Sequence, residues 1–71
     1  MTFEELQTRV RMNVLKLKGN MTIAELARRS GLSSVSVSRT LSGKQNMDFH
    51  TVFAFAEGLE VDIEELVKKN E

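Results

Sequence analysis

Helix starts recur along this chain, and they constrain its fold more than any other feature of the sequence. A Ser or Thr followed three residues later by Glu forms a capping box, in which side chains satisfy two otherwise orphaned backbone N–H groups. The pattern stands at Thr2-Phe3-Glu4-Glu5 and at Thr22-Ile23-Ala24-Glu25, and Asp62-Ile63-Glu64-Glu65 repeats it with Asp as the cap. Asp48 opens another helix, and Ser33 opens a further one after the Gly31-Leu32 turn. Five starts in 71 residues predict one all-α domain over 1–71, without repeat or linker. Its connections are short, about three to six residues each.

Apolar periodicity agrees with these starts. Phe3, Leu6, Val10, Val14 and Leu17 form one stripe, closed by Gly19-Asn20. Ile23, Leu26 and Ala27 share a face that ends at Gly31. Phe49, Val52, Phe53, Ala56 and Leu59 form a third stripe, and Ile63, Leu66 and Val67 a short last one. The segment Ser34-Val35-Ser36-Val37-Ser38 alternates like a strand. No other segment alternates, so a strand there would find no partner. Read as a helix, it buries Val37 and Leu41 on one face and turns its serines outward.

Missing residue types exclude whole classes of chemistry. The chain has no Cys, so disulfides, thiolate metal sites and cysteine nucleophiles are ruled out. His50 is the only imidazole, and no pair of good metal ligands stands four apart on a helix. Gly43-Lys44-Gln45 lacks the flanking residues of a phosphate-binding loop. These absences predict a protein that is not an enzyme and uses no metal or cofactor. The longest apolar run, Val52 to Ala56, is too short to span a bilayer, and the acidic N-terminus is unlike a signal peptide. A cytoplasmic protein is expected.

Net charge is zero, yet its distribution is lopsided. Between residues 6 and 47, eight basic residues face the single acid Glu25, a net +7; residues 48–71 carry two lysines against seven acids, a net −5. Such asymmetry suits one face to a polyanion. Charge alone is equally compatible with two merely solvated faces.

Two short helices around a tight glycine turn have the layout of a helix-turn-helix over about residues 22–41. The stretch Thr22-Ile23-x-x-Leu26-Ala27-x-x-x-Gly31-Leu32-Ser33-x-x-x-Val37-Ser38-Arg39-x-Leu41-x-Gly43 resembles the DNA-binding headpiece of lactose-repressor-type regulators. The remainder, Phe49-x-Thr51-Val52 through Ala56-x-x-Leu59-x-Val61-x-x-x-Glu65-Leu66, resembles the end of a lambda-repressor-like (Cro-type) domain. Together the two likenesses cover residues 10–67. They imply a five-helix lambda-repressor-like fold that binds double-stranded DNA sequence-specifically, most simply as a transcriptional repressor that occludes a promoter. No small-molecule effector is implied. Ala27 is expected where the two helices cross closely, and Gly31 at a positive φ.

By the same resemblance Ser34, Val35, Ser38 and Arg39 enter the major groove. Arg39 suits the bidentate contact to guanine, and Val35 a thymine methyl. The competing use of Arg39 is a surface ion pair with a residue such as Glu25. Phosphates are expected at Thr22, Ser33, Ser42, Lys44 and Asn46, with helix N-termini contributing backbone N–H groups. Many Cro-type relatives carry a phosphate-binding Gln where this chain has Ile23. A Gly that often closes the fourth helix is replaced by Glu60, so Gly58 is expected to end that helix one turn early. A homodimer, at least on DNA, is expected from the acidic half through Phe55, Val61, Ile63 and Val67. The rival function is a protein-interaction module, such as an antitoxin that holds a partner protein as well as DNA, and a partly exposed Phe55 is its hint.

Overall fold

The computed structural model describes residues 1–70, which contain five helices and no strand. They are α1 (Phe3–Lys18), α2 (Ile23–Ser30), α3 (Ser34–Leu41), α4 (Phe49–Leu59) and α5 (Ile63–Val67). All five expected residues occupy the N-cap positions. Only Thr2 closes a full capping box: its hydroxyl accepts the Glu5 N–H at 3.1 Å while its own N–H donates to Glu5 Oε1 at 2.8 Å. At Thr22 half of the box forms, because the Glu25 carboxylate turns away to Arg28 and Arg29 one turn on. Asp62 stands at its N-cap without a side-chain hydrogen bond.

The alternating serine segment is helical. Val37 is fully buried and Leu41 nearly so, which gives α3 one apolar edge and decides against a strand. The core gathers Val10 and Val14 of α1, Leu26 and Ala27 of α2, Phe55 and Ala56 of α4, Leu66 of α5 and Met47 of the loop before α4. Every helix contributes, and burying each large side chain stabilises the fold by about 1.5–3 kcal/mol.

Helix α4 departs in part from the face that periodicity predicts: Ala56 is buried and Val52 and Leu59 pack against the core, but Phe49 and Phe53 turn outward. Its buried residues are Thr51, Ala54, Phe55, Ala56 and Gly58, whereas Phe49 is 95% exposed and Phe53 50% exposed. The helix is apolar almost all round, so spacing alone could not select its inner face. Close approach to α2 selects it: a Cβ on Gly58 would come within 3.1 Å of the Ser30 backbone nitrogen and 3.2 Å of its Cα. Gly58 therefore lies inside the helix and does not end it. Glu60 does, in the left-handed conformation at φ 57°, with its N–H directed to Ala56 and Glu57 carbonyls. The α1 stripe is also shorter than expected, since Phe3 and Leu17 at its ends are exposed.

The chain closes on itself through Asn13. Its buried amide donates to the carbonyls of Leu66 at 2.8 Å and Lys68 at 2.9 Å. Asn70 returns the bond, donating to Asn13 Oδ1 at 2.8 Å and to the Arg9 carbonyl at 3.1 Å. In this way α5, too short to persist alone, is held on α1.

Candidate nucleic-acid interface

Helices α2 and α3 are joined by a turn built on Gly31. Its N–H is directed to the Ala27 and Arg28 carbonyls, and its φ of 69° turns the chain so that Leu32 N–H bonds the Ala27 carbonyl at 2.9 Å. Ala27 is buried at 2% exposure beneath this turn, which fits a close crossing. Ser33 begins α3, its hydroxyl accepting the Ser36 N–H at 3.1 Å. With Val37 and Leu41 in the core, Ser34, Val35, Ser38 and Arg39 all lie on the exposed side of α3. Val35 is 66% exposed.

Arg39 is exposed and forms no ion pair among the described residues. The residue that could have taken it is occupied: Glu25 binds Arg28 at 2.6 Å and Arg29 at 2.9 Å. Those arginines, Arg28 first, hold the Glu25 carboxyl below the usual carboxylate range. The one acid inside the basic segment is thus paired locally on α2.

The loop after α3 is folded back onto that helix. Ser42 caps α3, Lys44 N–H returns to the Arg39 carbonyl at 2.9 Å, and Gly43 turns the chain at φ 82°. Lys44 and Asn46 are exposed, as are Thr22 and Ser33. Thr22 and Ser33 accept backbone N–H groups and so retain a hydroxyl proton for a phosphate oxygen. Ser42 differs, because its hydroxyl donates to the Arg39 carbonyl at 3.2 Å and its N–H to Ser38. Its hydroxyl and backbone protons are both used internally. Ile23, in the place of the phosphate-binding Gln, packs half-buried against the core.

Two residues that sequence reasoning missed fix this loop from behind. Gln7 accepts the Met47 N–H at 2.7 Å and donates to Asn46 Oδ1 at 3.3 Å. One turn further along α1, Arg11 donates from Nε to the Thr40 carbonyl at 3.0 Å, with its guanidinium against Gly43. Gln7 sits at a core-facing spacing, so a buried amide there was a detectable signal of a backbone segment needing a partner. Arg11 carried no such signal. Gln45, also exposed, donates to Ser36 Oγ at 3.2 Å and ties the loop to α3.

The residues expected at a dimer contact separate. Phe55 is fully buried, so it is part of the core and offers no surface to a second chain or a partner protein. Val61 and Val67 are half-buried against the core, and Ile63 alone is exposed, at 43%. His50 is exposed, and the described residues contain no cluster of three potential metal ligands. None of the helices is long and apolar enough to cross a membrane.

Comparison with known proteins points the same way as the geometry. A family model described as the Cro/C1-type HTH DNA-binding domain matches residues 11–70. The fold is similar to the crystal structure of a hypothetical transcription factor, NHTF, from Neisseria, with a TM-score of 0.83 and 23% identity over 96% of this chain and 79% of that one. No sequence relative is found among curated proteins. The lactose-type likeness of residues 22–43 remains a resemblance of pattern.

Proposed function

The chain belongs to the Cro/C1-type helix-turn-helix DNA-binding domains, and from that premise we propose that α3 reads duplex DNA sequence-specifically, repressing transcription by occluding a promoter. The observation that carries this reading is Arg39, exposed and without an ion pair on the same outer face as Ser34, Val35 and Ser38. An eight-residue helix is about 12 Å long, which fits the width of the major groove. Arg39 then donates two parallel hydrogen bonds to guanine O6 and N7, and Val35 meets a thymine methyl.

Phosphates are held by Thr22 and Ser33 at the starts of α2 and α3, and by Lys44 and Asn46 in the following loop. Ser42 joins them from the C-cap of α3, its exposed hydroxyl turning from the Arg39 carbonyl to a phosphate oxygen. One short recognition helix covers only a few base pairs, so two copies act on a near-palindromic site about one helical turn apart. Repression requires only that the bound pair block polymerase. A cytoplasmic location follows from this role.

Selection of binding sites from random duplexes, followed by variant titrations, tests the proposal. Arg39→Ala is expected to cost about 1–3 kcal/mol on the best site and to relax preference at one guanine. Lys44→Ala is expected to weaken all sequences alike and to flatten the salt dependence. An Arg39→Ala protein as tight and selective as the parent overturns the assignment of α3. Duplex affinity independent of salt would overturn the assigned phosphate contacts.

A further inference from the structure

Beside the Met47–Phe49 segment lies an apolar groove of about 600 Å³, between the start of α1, α4 and the start of α5. Phe3, Leu6, Phe49, Val52, Phe53 and Ile63 line it. Phe49 is 95% exposed, Phe3 59%, Phe53 50% and Ile63 43%. The face proposed to read DNA uses none of these side chains, and folding leaves the three rings and Ile63 largely in water. We propose that this groove is where two copies of the chain pair, the Phe49 ring of each inserted into the groove of the other. The proposal deepens the dimeric reading above by assigning its surface, and it replaces the buried Phe55 with Phe49, Phe53 and Phe3.

Shape supports a second copy as the occupant. A two-fold contact uses the same patch on both partners, so that patch must carry a projection and a matching recess. Here they are adjacent: Phe49 stands almost free of its own chain, and the groove it borders is apolar and open. Aromatic side chains are enriched at the centres of such contacts.

Area supports it as well. A phenylalanine side chain offers roughly 150–250 Å², so at the observed exposures the three rings present on the order of 400 Å². With Ile63 and the outer edges of the partly buried Leu6 and Val52, the patch reaches roughly 500 Å² per copy. Two copies together would bury about 1,000 Å², the lower limit for a specific interface. A tight complex with another protein buries about 800 Å² on each side, and the apolar patch falls short of that. Weak self-association is the expected result, strengthened when adjacent half-sites on one duplex raise the local concentration.

Sedimentation velocity without DNA, from about 10 µM to 1 mM, and on a duplex carrying two half-sites tests the pairing. The parent is expected to shift with concentration from 8.0 kDa towards twice that mass, and to fill two half-sites cooperatively. Phe49→Asp is expected to remain monomeric throughout and to lose cooperativity, with unchanged affinity for a single half-site. That substitution should not unfold the domain, because the ring is exposed and a carboxylate at the first turn of α4 suits the helix dipole. Phe3→Ser, which removes a wall of the groove and leaves the projection, is expected to weaken dimerisation in the same direction. A Phe49→Asp protein that dimerises like the parent overturns the proposal. So does a parent that stays monomeric at 1 mM and binds two half-sites independently. If no duplex is bound at all, the reading of α3 fails while sedimentation in free solution still decides the pairing.

Discussion

The side-chain oxygen of Gln7 accepts the backbone N–H of Met47 at 2.7 Å, so the start of α1 fixes the end of the loop that follows the recognition helix. Both residues are buried, at 7% and 5% exposure. Gln7→Ala is expected to leave the Met47 N–H without a partner and cost about 1–3 kcal/mol of stability. It also frees Asn46, so DNA affinity should fall similarly on every sequence. Thermal melts and titrations on two unrelated duplexes check this, and a sequence-dependent loss would contradict it.

Thr40 is fully buried and its hydroxyl has no hydrogen-bond partner. Its carbonyl, which holds Arg11, is unaffected by the side chain. Thr40→Val removes the unpaired hydroxyl at nearly constant shape, and a gain of roughly 1 kcal/mol is expected. In a domain of this size that raises the melting temperature by about 4–8 °C. A lower melting temperature would mean that the hydroxyl is paired in solution.

The end of α4 offers two substitutions with opposite expected signs. Glu60 holds a left-handed φ of 57°, and its contact with Arg29 is a solvent-exposed 3.7 Å pair of little energetic weight. Glu60→Gly is therefore expected to stabilise by about 1 kcal/mol. Gly58→Ala is expected to destabilise by roughly 1–2 kcal/mol, although Ala is the better helix former by about 1 kcal/mol. The new methyl would press on the Ser30 backbone and push α2 from α4. Urea titrations of both variants distinguish these effects from a shared loss.

Acid should destabilise the fold. Three carboxyls lie below their usual range: Glu5 through the Thr2 backbone N–H, Glu25 through Arg28 and Arg29, and Asp48 through the Thr51 backbone N–H. A depressed folded-state value gives stability that is present above the unfolded-state value and lost as pH falls through the folded one. The melting temperature is expected to be level from neutrality to about pH 5 and to decline below about pH 4. Asp48→Asn keeps an acceptor for Thr51 without the charge, and should make that decline shallower. A melting temperature that rises on acidification would refute this account.

Local signals made much of the fold legible. Caps at Thr2, Thr22, Ser33 and Asp48 marked helix starts because they act within one turn, and Gly31 marked the turn because few other residues accept its φ. The outer face of α3 followed once Val37 and Leu41 were assigned to the core. What failed was non-local. Helix α4 has apolar residues on every side, so its orientation was decided by the contact of Gly58 with Ser30, 28 residues away and invisible to periodicity. The same rotation buried Phe55 and exposed Phe49, which moved the expected dimer surface. Gln7 and Arg11 were missed because their partners are backbone atoms, and those carry no sequence identity.

Asn13 has a consequence for the order in which this protein matures. Its amide is satisfied only by carbonyls at positions 66 and 68, more than 50 residues downstream, and Asn70 completes the set. Leu66, fully buried, arrives with them. While the chain is being made, α1 to α4 can form and meet, yet the polar atoms of Asn13 and the apolar site for Leu66 stay open until residues 66–70 have emerged. The surface proposed to read DNA, residues 22–46, is therefore complete in sequence well before it is firm. A chain truncated before residue 66 is expected to hold α3 on a loosened body, and to be cut by proteases more readily than the full domain.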